Sequence, residues 1–234
     1  MYAQTLNQGH EAPVLMTHPE EWQWRVLYEA LKTDPGFTFF FRDRLNEENL
    51  MRFFEAVVRG TLESGCGSVF ASPDRRAVLV WRWFGAELPE ERTQQMHSAL
   101  GQEGVERYRW FRQATDVPVD PADRPMTMRP NYIGVLPGMQ GRGYGSHLLK
   151  WTLEHFDRQG FITPFLVAST RRSAKLYGPL LGFYSYREVC VGPGGQEPAV
   201  VVMKRIGGGR PNGAYEVQRN GMAEALRTQR AQGD

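Results

Sequence analysis

Val135-Leu136-Pro137-Gly138-Met139-Gln140-Gly141-Arg142-Gly143-Tyr144-Gly145-Ser146 is the stretch that decides the fold. The apolar, strand-like Tyr132, Ile133 and Val135 lead into it, and Leu148, Leu149, Trp151 and Leu153 follow at helical spacing. A strand therefore runs into a loop with four glycines, and the loop opens an amphipathic helix. Glycine lets the backbone bend sharply and lets a ligand approach with no side chain in the way. The first N–H groups of a helix have no intrahelical acceptor and carry the positive end of its dipole. Together these features make an anion site suited to a phosphate or pyrophosphate.

The glycine spacing selects among phosphate ligands. A P-loop needs Gly-x-x-x-x-Gly-Lys-Ser/Thr, and no Lys-Ser or Lys-Thr follows these glycines. A dinucleotide fingerprint needs Gly-x-Gly-x-x-Gly, but Ser146 stands three positions after Gly143 and no N-terminal βαβ unit surrounds the loop. Taken alone, the run also reads as a glycine-rich turn that merely caps a helix. What fits is Gln140-x-x-Gly143-x-Gly145 behind Val135-x-Pro137, which resembles the acetyl-CoA signature of the GNAT superfamily of N-acetyltransferases.

A second motif lies downstream. Phe165-Leu166-Val167-Ala168-Ser169 reads as a buried strand between Pro164 and the polar Thr170-Arg171-Arg172-Ser173. Ala174, Leu176, Tyr177, Leu180 and Leu181 then lead into Gly182-Phe183. A strand, a short helix carrying a tyrosine, and Gly-Phe opening another strand resemble the GNAT order, with Tyr177 at about the expected distance past the glycine loop. The resemblance extends over most of the chain. Ala12 to Thr17 and Glu20–Leu31 resemble the first strand and helix, while 67–71 and 77–81, joined by the turn 72–76, resemble the second and third strands. In layout the chain is similar to the puromycin-type antibiotic acetyltransferase branch.

The remaining organisation is read from composition and periodicity. The 234 residues carry a net charge of only +2, which suits one sizeable soluble domain and argues against a dedicated nucleic-acid binder. The two cysteines, Cys66 and Cys190, have neither metal spacing nor a Cys-x-x-Cys pattern and are expected as reduced thiols. No metal site, membrane span or signal peptide is expected, so the cytoplasm is the default. We divide the chain into a flexible N-terminus (1–10), a single GNAT acetyltransferase domain (11–206) and a flexible C-terminal tail (207–234) with a weak helix at 221–230. Helical patterns cover 19–32, 46–63 and 89–113; in the second, Leu50, Phe53, Phe54, Val57, Val58 and Leu62 form one apolar face. Between the first two lies Phe37-Thr38-Phe39-Phe40-Phe41, which either fills the core or lines an acceptor pocket. Residues 116–130 read as a loop into the central strand, and 200–204 as the last strand after a turn at 192–195.

The resemblance implies an α/β GNAT fold: a mixed, mostly antiparallel twisted central sheet flanked by helices, with the central strands splayed beyond Val135 at the acyl-CoA site. It implies acetyl-CoA as co-substrate and a primary amine of a small molecule as acceptor, attacked directly in a ternary complex. Its pantetheine arm would lie along Ile133, Gly134 and Val135, with the Val135 N–H meeting the thioester oxygen. The pyrophosphate would sit on Gln140, Gly141, Arg142, Gly143, Tyr144, Gly145 and Ser146, and Ser173 takes the place of an asparagine that precedes the helix tyrosine in the family. Tyr177 is the expected proton donor to the departing thiolate, because a phenol with a pKa near 10 keeps its proton at neutral pH.

The general base stays unassigned. In the puromycin-like branch the strand after the signature helix carries a glutamate, but Val167 occupies that position here, and one extra residue lies between Tyr177 and Gly182. Other candidates are Glu87, His97, Asp116 and Asp120. His147 and His155 fall on the helix after the loop without partners for a metal, and Trp81, Trp83 and Phe84 are candidates for stacking the acceptor. Two other readings stand: a protein-amine acetyltransferase, and a catalytically weak acyl-CoA-binding or sensor module. A homodimer is common in the family; nucleic acid and membrane are not expected partners.

Overall fold

The computed structural model describes residues 10–192, 196 and 198–205. The first nine residues of the expected N-terminal segment, the tail from 207 and the turn beyond Gly192 lie outside the described residues. In chain order the elements are β1 (Val14–Leu15), α1 (Glu21–Leu31), α2 (Pro35–Phe41), α3 (Glu47–Ser64), β2 (Gly67–Ala71), β3 (Ala77–Trp83), α4 (Glu90–Thr115), β4 (Met128–Val135), α5 (Tyr144–Arg158), β5 (Phe165–Ala168), α6 (Arg171–Leu181), β6 (Phe183–Cys190) and β7 (Ala199–Arg205).

The helix starts follow from local chemistry. Glu20 and Gln23 close a reciprocal capping box at α1, and Asn46 accepts from the Asn49 N–H at α3. The aromatic run becomes a helix because Asp34 caps it, accepting from the Gly36 N–H, and Pro35 supplies a preset first turn. The pattern at 89–113 forms α4, but Gly101 (φ 71°, ψ 169°) breaks it into two helices at an angle. Only glycine adopts that backbone region at low cost.

Two antiparallel sheets result, ordered β1-β2-β3-β4 and β5-β7-β6. Both faces of the first are covered, as its near-continuous apolar strands require. Val78 and Val80 pack with the α1–α3 side, whereas Ala77, Leu79 and Trp81 pack with α5 and α6 on the other. Among the described residues the sheets touch through one parallel bridge, Thr127 to Ile162, with Met128 N–H donating to Ile162 O at 2.9 Å and Ile162 N–H to Met126 O at 2.8 Å. The strands part from there, seven positions earlier than the expected point at Val135. Pro130 on β4 and Pro164 before β5 each remove a ladder donor just past the bridge, which gives the early parting a cause.

Within β4 the register slips. Tyr132 lies opposite Val80, but Pro130 lies opposite Trp81, leaving Asn131 as a bulge. Cys66 and Cys190 are both free thiols. Among the described residues, no helix is long and apolar enough to cross a membrane.

Candidate active site

The glycine loop joins β4 to α5 through tight backbone geometry. Gly141 (φ 76°) and Gly143 (φ 87°) take left-handed conformations that favour glycine, and Gly143 is the N-cap of α5, with no side chain to satisfy the first-turn amides. Gly145 packs closely on β4: a Cβ there would stand 3.3 Å from the Val135 side chain. A Cβ on Gly141 would meet nothing within 4 Å. The loop is thus held against the strand yet leaves its outer side clear.

Val135 has a defined polarity. Leu136 N–H donates to Arg76 O at 3.0 Å, so Leu136 faces β3, and alternation along a strand turns the backbone groups of Val135 the other way. In agreement, the Val135 carbonyl accepts from Gln140 Nε2 at 3.2 Å instead of from β3. The Gln140 side chain therefore ties the loop to its strand. Gly134 accommodates α1: a Cβ there would lie 3.1 Å from Leu27 and Ala30.

Tyr144 turns away from the loop. Its hydroxyl donates to Asp74 on the β2–β3 turn, and its ring meets His10, which in turn bonds the Arg142 carbonyl. His147 bonds the Glu11 carbonyl at 3.2 Å, so His10 and Glu11 lie across the start of α5. The Arg142 side chain is exposed, and Ser146 is half-buried. Ser173 joins the cap of α6, its N–H and hydroxyl both meeting the Thr170 hydroxyl.

A compact cavity of about 140 Å³ opens where β4 and β5 part. Its walls come from α2 (Phe37, Phe40), α4 (Tyr108, Phe111, Arg112), β4 (Arg129 to Ile133), β5 (Phe165, Leu166, Val167) with the adjoining Ser169, and α6 (Tyr177). Asp34 lines the same cavity. Burial raises the Asp34 pKa above its ordinary value, and the Ser169 hydroxyl with the Gly36 and Phe37 amides only partly offsets this. The Tyr177 phenol is pushed up to about 12, first by burial and then by the Asp34 carboxylate. A carboxyl and a phenol, each with its pKa raised by burial, thus share one pocket.

The structure brings together Ile133 and Tyr177 in this cavity and strings the glycine loop from the far end of β4. The other base candidates are elsewhere. Glu87 is exposed and paired with Arg112 at 3.6 Å, while Asp116 and Asp120 are exposed, Asp120 holding the Ala122 N–H in a turn. His97 lies half-buried on α4, its pKa lowered by burial and then by Arg109, and does not line the cavity. His155 stacks on Trp151 at 5.1 Å.

The aromatic run serves both expected ends, since Phe37 and Phe40 are core residues and pocket wall at once. Trp81 is core, bonded to Thr152; Trp83 meets Phe161 and Phe84 meets Phe165, and none of the three lines the cavity.

Sequence reasoning missed Asp34 and Arg129. Asp34 could have been found from its cap signal, Asp-Pro ahead of an aromatic run, read together with the pocket-lining alternative for that run. Arg129 fell in a segment read as loop.

Residues 124–183 match the model of the acetyltransferase (GNAT) family. Three solved structures share the architecture at low identity. Histone acetyltransferase HPA2 and related acetyltransferase from Corynebacterium glutamicum is 18% identical, covering 83% of this chain and 97% of that one, with a TM-score of 0.53. Agmatine N-acetyltransferase is 17% identical, covering 82% and 98%, with a TM-score of 0.52. A mosquito arylalkylamine N-acetyltransferase like 5b gives the same four values, 17%, 82%, 98% and 0.52. A search of the curated proteins gives no match. The region matched by the family model runs from the turn before β4 to the start of β6, and an α/β GNAT fold is built around it.

Proposed function

We propose that the protein transfers an acetyl or other short acyl group from acetyl-CoA to a primary amine of a small molecule, by direct attack without a covalent acyl-enzyme. The observation that carries this reading is the shared pocket of Asp34, Ser169 and Tyr177 at the parting of β4 and β5. Acetyl-CoA supplies the activated acyl group. The residues that would hold it fit: a clear outer side at Gly141, an uncapped first turn after Gly143, and the unpaired edge of β4.

Each step then falls to a residue of this chain. The Val135 amide, turned away from β3, suits donation to the oxygen that gains charge as the carbonyl is attacked. Asp34 takes the proton that the attacking nitrogen loses, directly or through one water. Tyr177 returns a proton to the departing sulfur. A phenol at about 12 is a reluctant donor, but its state is linked to the base. Once Asp34 is protonated, the negative charge that helps raise Tyr177 is gone, so its pKa falls when the proton is needed. The thiolate leaves in the same poorly solvated pocket, where burial raises its proton affinity too.

The layout similar to puromycin-type enzymes does not carry the acceptor chemistry, because Val167 stands where that branch has a glutamate. Asp34 supplies a carboxylate from across the cleft, which weakens the motive for a sensor module. A cavity of about 140 Å³ walled by phenylalanines suits a small amine better than a polypeptide. The agmatine and arylalkylamine N-acetyltransferases named among the structural neighbours accord with that choice.

The test is isothermal titration with acetyl-CoA on the wild type and on Gly143→Trp, with circular dichroism to check the fold of the variant, followed by an amine screen. Binding lost in a folded variant supports the loop as the pyrophosphate site. A wild type that does not bind returns the loop to a helix-capping turn and ends this reading.

A further inference from the structure

Among the described residues, the acceptor pocket contains a cation with nothing to neutralise it. Arg129 is half-buried and lines the cavity, yet among the described residues it has neither an ion-pair partner nor a side-chain hydrogen bond. Its noted contact is the face of the Phe165 ring, at 5.8 Å. The residue opposite on β3 is Arg82, another guanidinium, which donates to the Ala86 carbonyl while its Nε is buried with no partner. Arg112, on the same cavity wall, pairs among the described residues with the exposed Glu87 at 3.6 Å. Like charges facing each other across a strand pair are destabilising, and a guanidinium cannot discharge itself by losing its proton.

The bulge explains how this arises. In a regular strand, residues 129 and 132 would point to opposite faces. Asn131 takes up one position, so Arg129 pairs with Arg82 and Tyr132 with Val80, which puts both on the face that looks toward α2 and α4. Tyr132 and Tyr108 meet there through their hydroxyls at 3.5 Å. The phosphates of acetyl-CoA do not explain Arg129. It stands six residues from Val135 along β4, roughly 20 Å at the usual strand rise, away from the glycine loop.

We infer that the acceptor is an amine that also carries an oxyanion, foremost a carboxylate, and that Arg129 binds this group while the amine faces Asp34 and Tyr177. This rests on the acyltransfer reading and narrows its substrate class to amino acids and similar amino-carboxylates with an apolar body, which the cavity's phenylalanines would surround. A guanidinium fork matches a carboxylate with two parallel hydrogen bonds. Burial and the neighbouring arginines both lower the Arg129 pKa, as expected of a site that lacks its anion.

The experiment compares matched acceptors with acetyl-CoA: the standard amino acids against their decarboxylated amines and, for one pair, the aminophosphonate. At least one amino acid should exceed its decarboxylated partner in kcat/KM by about 10- to 100-fold, in line with a charge-assisted hydrogen-bond pair. Arg129→Gln should abolish that ratio through KM of the acid, leaving the KM for acetyl-CoA and turnover of the decarboxylated amine near wild type. Because it removes an unpaired charge, the variant should melt no lower than wild type.

Equal or better use of the decarboxylated amines, with a ratio unmoved in Arg129→Gln, overturns the inference while acyltransfer stands. Preference for the phosphonate keeps Arg129 as the anion site and replaces the carboxylate by a phosphate-like group. If no amine is acetylated, acyltransfer to amines fails. Calorimetry with the amino acids and the aminophosphonate then decides the anion site alone: binding lost in Arg129→Gln upholds it, and no binding overturns it.

Discussion

Asp34 caps α2 and also lines the cavity proposed for the acceptor, and these two duties pull on its charge in opposite directions. The cap favours the carboxylate, yet burial outweighs the cap and raises the pKa above 3.8. A carboxyl whose pKa is raised by folding contributes stability below its unfolded pKa and loses it as pH rises through the folded value. At neutral pH the charged Asp34 is therefore a cost. Asp34→Asn keeps a capping oxygen and removes the charge. We expect it to melt at or above wild type at pH 7, with the difference shrinking as pH is lowered toward 3.8, the ordinary aspartate value. Its kcat should nevertheless fall on the order of 100-fold, and the acid limb of kcat/KM should vanish. A variant that melts lower and keeps its pH profile would leave Asp34 as a cap only. Tyr177→Phe separates enzyme from sensor by turnover and calorimetry. We expect a loss of about 100-fold in kcat with acetyl-CoA affinity unchanged; unchanged turnover would remove Tyr177 from the chemistry.

At the scale of elements, the pocket depends on where α4 bends. The half beyond Gly101 carries Tyr108, Phe111 and Arg112 to the cavity, and the backbone at Gly101 suits glycine alone. Gly101→Ala would also press a Cβ to 3.0 Å from the Arg44 side chain, which holds the Ala99 and Ser98 carbonyls. We expect a cost of about 1–3 kcal/mol, seen as a melting temperature lower by several degrees, and a KM that rises for the acceptor but not for acetyl-CoA. An unchanged acceptor KM would show that the bend does not shape the pocket. The elements themselves were largely legible: β2, α3 and β3 follow from clean periodicity, and the glycine loop from its spacing. The bend was not, because the sequence on both sides of Gly101 keeps a helical pattern. Nor was Arg129, because its face depends on a bulge that only pairing with β3 creates. Asp34 was hidden for another reason: its cap role is local, while its meeting with Tyr177 spans most of the chain.

At the scale of the molecule, the two sheets share one bridge among the described residues, at Thr127 and Ile162, and α5 and α6 pack against both. The edge of β4 beyond that bridge is left unpaired inside the protein, where a free strand edge is a site for another extended chain to add. Such an addition has an alternating signature. The amides of Gly134 and Leu136 face β3, whereas those of Ile133 and Val135 face the parting. Amide exchange followed residue by residue should therefore find Gly134 and Leu136 protected with or without acetyl-CoA. Ile133 and Val135 should be slowed only when it is bound, and the melting temperature should climb with its concentration. Protection that appears evenly along β4 would mean that the ligand closes the sheets globally. Protection confined to residues 141–146 would mean that the phosphates bind while the acyl arm lies elsewhere, and it would take from Val135 its proposed role toward the thioester.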